Sequence, residues 1–210
     1  MVADRYSSAD PPRSPLILAS RSPQRRAILD QLRIPYEAVP VDVDEVGAGP
    51  PAETARANAL AKARAGALER PGRTVLGVDT VVALDGEIFG KPGSEQEAAA
   101  TLRRLQGRSH DVISGLALLA PDNTQVVHEA TEVAFRELDK LAIARYVGTG
   151  EWRERAGGYA IQGQGAALVR RIIGDYLNVV GLPVGAMLDL DLASSSGKGR
   201  GMSLTSPSRR

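Results

Sequence analysis

The residues best suited to chemistry form three short clusters, and the first is LASRSPQRR at Leu18–Arg26. It carries two serine hydroxyls and three arginine guanidiniums at the point where a short apolar run ends and a helix begins, with Ser22 as N-cap and Pro23 in its first turn. The N-terminus of a helix attracts anions, and arginines add bidentate contacts to phosphate. This cluster predicts a phosphate site; the alternative is a capped surface helix with solvated arginines.

The second cluster is GVDTVV at Gly77–Val82, where Asp79 interrupts an apolar, β-branched run. A carboxylate in such a strand is costly unless it is paired, bound to a metal or placed at an exposed strand end. Asp79 is therefore interpreted as a metal ligand or general base at a cleft, or else as a carboxylate that bonds a neighbouring turn. Glu45, Lys62 and Lys91 are candidate partners, although each alone is also typical of a surface charge.

The third cluster, Ala156–Ala166, contains four glycines between positions 157 and 165, which indicates tight backbone or close approach to a ligand. It is not a dinucleotide-binding fingerprint, because Gly163 and Gly165 lack a third glycine and a following acidic residue at the required distance. His128 lies in a predicted strand and His110 next to one, both without ligand spacing, so both are assigned structural roles.

Alternating strands and helices must position these clusters. Strands are predicted at 16–19, 74–84, 87–89, 112–119, 126–135 and 167–173. Helices are predicted to start at Pro23 and to cover 51–69, 139–147 and 183–192. A further helix is predicted after a capping box at Ser94 and Glu97 and is ended by Gly107. The Asp85-Gly86 pair is a strong hairpin turn. The pattern predicts an α/β fold in which a mixed β-sheet is flanked by helices.

Composition narrows the class of protein further. The 210 residues, 43% hydrophobic and 24% charged, are ordinary for a globular domain and exclude a disordered or fibrous chain. The absence of cysteine excludes disulfides, thiolate metal sites and cysteine nucleophiles. With no apolar run of about 18 residues and no signal-peptide pattern at the start, a cytoplasmic protein with no membrane partner is expected.

The two ends of the chain differ from its body. Residues 1–13 and 193–210 hold too few apolar side chains to fold and are predicted to be disordered tails around a domain at 14–192. The C-terminal tail has four basic residues and no acid, so the body of this +1 chain is slightly acidic. Such a body gives no general field for polyanions, and nucleic acid is not an expected partner.

The clusters belong to a longer pattern that resembles the Maf family of nucleoside triphosphate pyrophosphatases, spanning residues 15–192. The matching segments are LASRSPQRR, GVDTVV, GKP, AGGYAIQGQGA and GDYLNVVGLP, in family order and at family spacing. The resemblance implies an α/β fold with two lobes around a cleft and a divalent cation, Mg²⁺ or Mn²⁺. It also implies hydrolysis of a nucleoside triphosphate to the monophosphate and pyrophosphate.

The resemblance also assigns residues. Asp79 matches the family's catalytic aspartate, the proton acceptor. The polar positions that line the family's cleft are matched by Ser20, Arg25, Glu45, Lys62 and Lys91. Of these, Ser20, Arg25, Lys62 and Lys91 are expected to bind the substrate, while Glu45 and Asp79 are expected to hold the metal.

Three positions sort the subfamilies, and here they are Gln24, Thr80 and Gln162. Thr80 and Gln162 agree with the branch of dTTP/UTP pyrophosphatases, whereas the 7-methyl-GTP branch has Gln and Glu there. Gln24 departs from both branches, because the dTTP/UTP branch usually has Arg at this position and the 7-methyl-GTP branch has Trp. The resemblance therefore leaves open whether the protein accepts a broader range of nucleotides. Glu154-Arg155 also departs from the usual Asp-Lys.

Elementary chemistry agrees with this assignment. A triphosphate carries about four negative charges in water, so its hydrolysis needs charge neutralisation, positioning and a base for water. The alternative to hydrolysis is a non-catalytic role. In that case the protein binds nucleotides and regulates cell division, a process to which the family has been linked. The oligomeric state stays open between a monomer and a homodimer.

Overall fold

Seven strands form one mixed sheet in the computed structural model, which describes residues 14–196 and their side chains to Leu190. The strands are β1 (Leu16–Ala19), β2 (Tyr36–Val39), β3 (Val75–Leu84), β4 (Glu87–Phe89), β5 (Ser109–Ala120), β6 (Asn123–Phe135) and β7 (Val169–Ile173). The helices are α1 (Pro23–Gln31), α2 (Pro51–Glu69), α3 (Glu95–Leu105), α4 (Lys140–Gly148), α5 (Tyr176–Val180) and α6 (Val184–Ser196). Short 3₁₀ helices span Ala156–Gly158 and Gly163–Leu168.

The sheet is mixed, as predicted. Its strand order is β2-β1-β3-β5-β6-β7, and β4 pairs with β3. The strands β1, β2 and β3 run parallel, and every other pairing is antiparallel. Ligands of open α/β sheets bind beyond the carboxyl ends of parallel strands, and here the segments after β1 and β2 carry Ser20 and Glu45.

One edge of β3 is divided between two partners. β1 pairs with Val75–Gly77 and β4 pairs with Val82–Leu84, while β5 follows the other edge continuously. Residues 78–81 therefore have a strand neighbour on one side only, and this opening separates a lobe around β1 from a lobe around β4. Because successive side chains of a strand point to opposite faces, Asp79 and Thr80 at the opening point to opposite faces of the sheet.

The alanine-rich helix α2 lies unusually close to β3 and β5. A Cβ atom on Gly77 would overlap the backbone of Ala59 and Ala63, and one on Gly115 would overlap the backbone of Ala55. Small residues on both sides thus allow the helix backbone to approach the sheet. The opposite face of β3 is covered by apolar side chains of α1 and α6.

Several elements differ from the sequence prediction. β2 and α5 were not predicted, because they mix polar with apolar residues in runs too short to show a period, whereas the equally short β1 is wholly apolar. β5 and β6 each begin three residues before the predicted start, and α6 continues to Ser196, four residues beyond the predicted end. The rest of the predicted tails, 1–13 and 197–210, lies outside the described residues. Within 14–196, no helix combines the length and the apolar character of a membrane span.

His110 lies in the core, among aromatic side chains. Its Nε2 is 2.8 Å from the Tyr159 hydroxyl, and its ring packs edge-on against Phe135 and Tyr159. Burial lowers the pKa of His110 to about 4, because the charged imidazolium loses hydration there. The side chain is therefore neutral at pH 7.

We expect the free energy of unfolding to fall by about 2 kcal/mol between pH 7 and pH 5 through His110 alone. The unfolded chain takes up a proton near pH 6.5, while the folded chain resists protonation down to about pH 4. Urea unfolding followed by the fluorescence of buried Trp152, the one tryptophan of the chain, measures this loss. The non-titrating variant His110→Gln should lose correspondingly less, and an equal loss in both proteins contradicts the assignment.

Candidate active site

A cleft of about 770 Å³ opens at the divided edge of β3, between the two lobes. All nine side chains that the sequence singled out line it: Ser20, Gln24, Arg25, Glu45, Lys62, Asp79, Thr80, Lys91 and Gln162. They come from segments as far apart as β1 and the 3₁₀ helix at Gly163–Leu168. The volume lies in the range of small-molecule sites.

Asp79 is buried at the floor of the cleft with both carboxylate oxygens occupied. Its Oδ1 lies 2.5 Å from the Lys62 ammonium, and its Oδ2 accepts a hydrogen bond of 3.1 Å from the Asn58 amide. The same Lys62 nitrogen lies 2.7 Å from Oε1 of Glu45, so one ammonium bridges two carboxylates. Lys62 and Asn58 are four residues apart on α2 and therefore share the helix face that meets β3.

Asn58 also fixes the loop that carries Glu45. Its Oδ1 accepts from the Val46 amide at 2.8 Å, and its Nδ2 donates to the Val46 carbonyl at 3.0 Å. Because the Val46 N–H requires the oxygen of the amide, Nδ2 is the atom that faces Asp79. The Asn58 side chain thereby ties the loop, α2 and β3 together at one buried point.

Arg25 is buried on the other face of the sheet, with all three guanidinium nitrogens engaged. Nε donates to the Gly181 carbonyl at 2.9 Å, Nη1 to Ser20 Oγ at 3.0 Å and Nη2 to Thr80 Oγ1 at 3.2 Å. Thr80 Oγ1 also lies 2.9 Å from Ser114 Oγ across the β3–β5 pair. These bonds fix the guanidinium at the cleft wall.

The charge of Arg25 is balanced by its neighbours. Burial lowers the pKa of Arg25, and the negative charges of Asp79 and Glu45 act in the opposite direction. An arginine stays protonated under such a shift, so the cleft keeps a permanent positive charge next to its carboxylates. Of the other arginines in the first cluster, Arg21 lines the cleft, whereas Arg26 is exposed and does not.

Two further side chains stand at the mouth of the cleft. Lys91 is half exposed, and its ammonium is 3.8 Å from the carboxylate of Glu154, which is itself almost fully exposed. An ion pair of this length between exposed groups is weak, so Lys91 remains available to a ligand. Gln24 is half-buried near the start of α1, where its Oε1 accepts from Ser22 Oγ.

Gln162 is exposed at the start of a loop that another residue holds in place. The Glu151 carboxylate accepts hydrogen bonds of 3.0 Å from the backbone N–H groups of both Gln164 and Gly165. A Cβ on Gly163, whose φ is +67°, would lie only 2.6 Å from the same carboxylate. Glu151 therefore braces the loop, and Gln162 is among the residues that line the cleft.

Comparison with known proteins identifies this arrangement. The family described as Maf-like protein matches residues 15–191, which include every cleft residue named above. The chain belongs to the Maf family.

Curated relatives of this Maf protein share a name. It is 50% identical over 171 residues to the dTTP/UTP pyrophosphatase of Symbiobacterium thermophilum, covering 80% of this chain and 88% of the relative. Identity to the enzyme of the same name from Nitratidesulfovibrio vulgaris is 47%, covering 84% and 86% of the two chains. Identity to the dTTP/UTP pyrophosphatase of Pyrococcus furiosus is 44%, and the match covers 83% of this chain and 93% of the relative.

The donor set of this Maf cleft fits a hard divalent cation. Glu45 Oε1 and Asp79 Oδ1 both lie within 2.7 Å of one point, the Lys62 nitrogen, and oxygen donors are those that Mg²⁺ and Mn²⁺ prefer. Among the described residues, no group of three or more His, Cys, Asp or Glu side chains is arranged to hold a metal. The cleft thus offers a divalent cation two carboxylate ligands, Glu45 and Asp79.

Sequence reasoning missed three side chains that position the Maf site: Asn58, Ser114 and Glu151. Asn58 had a signal, since it lies one helical turn before Lys62 within an alanine-rich helix. Ser114 depends on the register that sets it opposite Thr80, and Glu151 reaches backbone groups 13 and 14 residues later in the chain. No local pattern reports either contact.

Proposed function

We propose that this protein hydrolyses nucleoside triphosphates, with dTTP and UTP preferred, to the nucleoside monophosphate and pyrophosphate. The observation that carries the proposal is the conjunction of cationic and carboxylate groups in one cleft, at residues matching the Maf pattern. The shared name of the curated relatives supports the same reaction. We place this activity in the cytoplasm, in line with the absence of cysteine.

The phosphates are assigned to the cationic wall of the cleft. Arg25 is held by three hydrogen bonds, so its guanidinium is oriented before the substrate arrives and loses little freedom on binding. Lys91 at the mouth has no strong partner among the described residues and can move to the triphosphate. Ser20 contributes by holding Arg25, and Lys62 supplies a further positive charge deeper in the cleft.

Asp79 is proposed as the base that takes a proton from the attacking water. A carboxylate has about four acceptor sites, so Asp79 can accept from water while it stays bonded to Asn58. We assign Glu45 and Asp79 as the residues that would hold Mg²⁺ or Mn²⁺. Such a cation, when bound, neutralises the charge that develops on the phosphate oxygens.

Base selection is assigned to Gln162, Thr80 and Gln24. The Gln162 amide can both donate to and accept from the edge of uracil or thymine. The Thr80 hydroxyl is engaged with Arg25 and Ser114, so we propose that Thr80 acts on selectivity through the position of Arg25. Gln24 lacks a charge, and a broader range of accepted bases than in the dTTP/UTP branch is expected from it.

Analysis of the products tests the proposed reaction directly, because it shows which phosphoanhydride bond breaks. The purified protein is incubated with dTTP or UTP and Mg²⁺ or Mn²⁺, and the products are separated by ion-exchange chromatography. Monophosphate and pyrophosphate in equal amounts are expected, because the bond proposed to break is the one between the α- and β-phosphates. Nucleoside diphosphate with orthophosphate contradicts the proposal, and tight binding without turnover across a panel of triphosphates favours the regulator instead.

A further inference from the structure

The position of Lys62 is unusual for a lysine. Its side chain is only 12% exposed, and its ammonium lies 2.7 Å from Glu45 and 2.5 Å from Asp79. A single small cation thus sits between the two carboxylates that are proposed to hold the metal. Lysine carries its charge on a flexible four-carbon chain, and its ammonium is a compact point charge.

Two cations cannot share this position. Mg²⁺ binds carboxylate oxygens at about 2.0–2.1 Å. A cation held by both Glu45 and Asp79 would therefore overlap the Lys62 nitrogen, which lies 2.7 Å and 2.5 Å from the same two oxygens. An ammonium and a divalent ion at the same pair of oxygens would repel each other strongly in a partly buried site. We infer that Lys62 and the divalent cation alternate between Glu45 and Asp79, so that the cation enters together with the triphosphate.

Charge supports this order of events. In the free protein Lys62 neutralises one of the two carboxylates, and buried Arg25 lies close enough to act on both. The pair therefore attracts a free divalent ion only weakly. A triphosphate changes the balance, because its oxygens accept the released ammonium and also complete the coordination of a cation held by one or two carboxylates.

Asn58 makes the exchange feasible without collapse of the site. Its amide holds Asp79 Oδ2 and both backbone groups of Val46 through hydrogen bonds that do not involve Lys62. The loop bearing Glu45 therefore stays in place when the ammonium leaves. The inference depends on the proposed function for the identity of the triphosphate, but the exchange itself can be measured without any nucleotide.

The test is the affinity of the protein for Mn²⁺ alone, measured by electron paramagnetic resonance of the free ion. Lys62→Met should bind Mn²⁺ roughly tenfold or more tightly than the wild type, because the competing ammonium is gone. Lys91→Met, which removes a lysine of the same cleft that does not bridge carboxylates, should leave the affinity unchanged. Adding Glu45→Gln to Lys62→Met should return the affinity to the wild-type level or below.

Thermal unfolding gives a second readout. Without metal, Lys62→Met should unfold at a lower temperature than the wild type, since Asp79 loses its counter-ion while buried; Mn²⁺ should restore the loss. If this variant does not fold, Lys62→Gln takes its place in both measurements. Equal Mn²⁺ affinity in wild type and Lys62 variant, or equal gains from Lys62→Met and Lys91→Met, overturns the exchange. These results are independent of whether triphosphates are hydrolysed.

Discussion

Asp79→Asn should lower kcat for dTTP and UTP roughly 10²–10⁴-fold while the protein stays folded. The substitution keeps the shape of the side chain but removes the charge and most of the basicity that a water molecule requires. It also disturbs the local bonds, because Lys62 and Asn58 both donate to Asp79 and an amide offers only one oxygen. Lys62 keeps Glu45 at 2.7 Å, so its ammonium is not left unpaired.

The measurement is steady-state kinetics with circular dichroism as a check on folding. A matched control is Asp42→Asn, which makes the same change to an exposed carboxylate of the same cleft, 3.6 Å from Arg21. This control should keep near wild-type kcat. A folded Asp79→Asn that retains more than about a tenth of wild-type kcat means that Asp79 is not the base. We expect Asp79→Asn to keep binding nucleotide, because Arg25 and Lys91 are unchanged in this variant.

Local signals account for the elements that were predicted well. The N-cap Ser22 followed by Pro23 marks the start of α1 through contacts within one helical turn, and the Ser22 hydroxyl does accept from the Arg25 amide. The alanine-rich run predicts α2 with its observed bounds, because helix propensity is a property of neighbouring residues. Asp85-Gly86 joins β3 to β4 by the expected hairpin.

The contacts that build the site depend on distances along the chain that such signals do not span. Arg25 donates to the carbonyl of Gly181, 156 positions away, and α5, just before Gly181, was not predicted. The meeting of Asn58 with Asp79 follows from how closely α2 approaches the sheet, which Gly77 and Gly115 permit. The resemblance to a family supplied the joint list of cleft residues; physical reasoning on isolated clusters left each with a structural alternative.

The loop at Gln162 shows how the structure sharpens a prediction about specificity. From the sequence, Gln162 could either read the base or brace the glycine-rich segment. In the structure the bracing falls to Glu151, whose carboxylate accepts from the backbone of Gln164 and Gly165. Gln162 lines the cleft, and the loop is held by Glu151 instead. A change of its chemistry should therefore alter selectivity more than loop geometry.

Gln162→Glu should lower kcat/KM for dTTP and UTP by about 1–3 kcal/mol of transition-state binding, or roughly 5–150-fold. The carboxylate can only accept hydrogen bonds, so it loses the donor that a pyrimidine carbonyl requires and suits the N1–H and amino group of guanine instead. Kinetics over dTTP, UTP, CTP, GTP and 7-methyl-GTP measure the change, and purine nucleotides should be affected least.

Gln164→Glu provides the matched control, since it makes the same substitution two residues later, at an exposed side chain that is not among those lining the cleft. It adds the same negative charge to the loop, so any general repulsion of the triphosphate appears in both variants. A loss confined to pyrimidine nucleotides and to Gln162→Glu assigns the base-reading role to this amide. Equal losses on every nucleotide, or equal losses in the two variants, remove Gln162 from that role and attribute the effect to charge or to the loop.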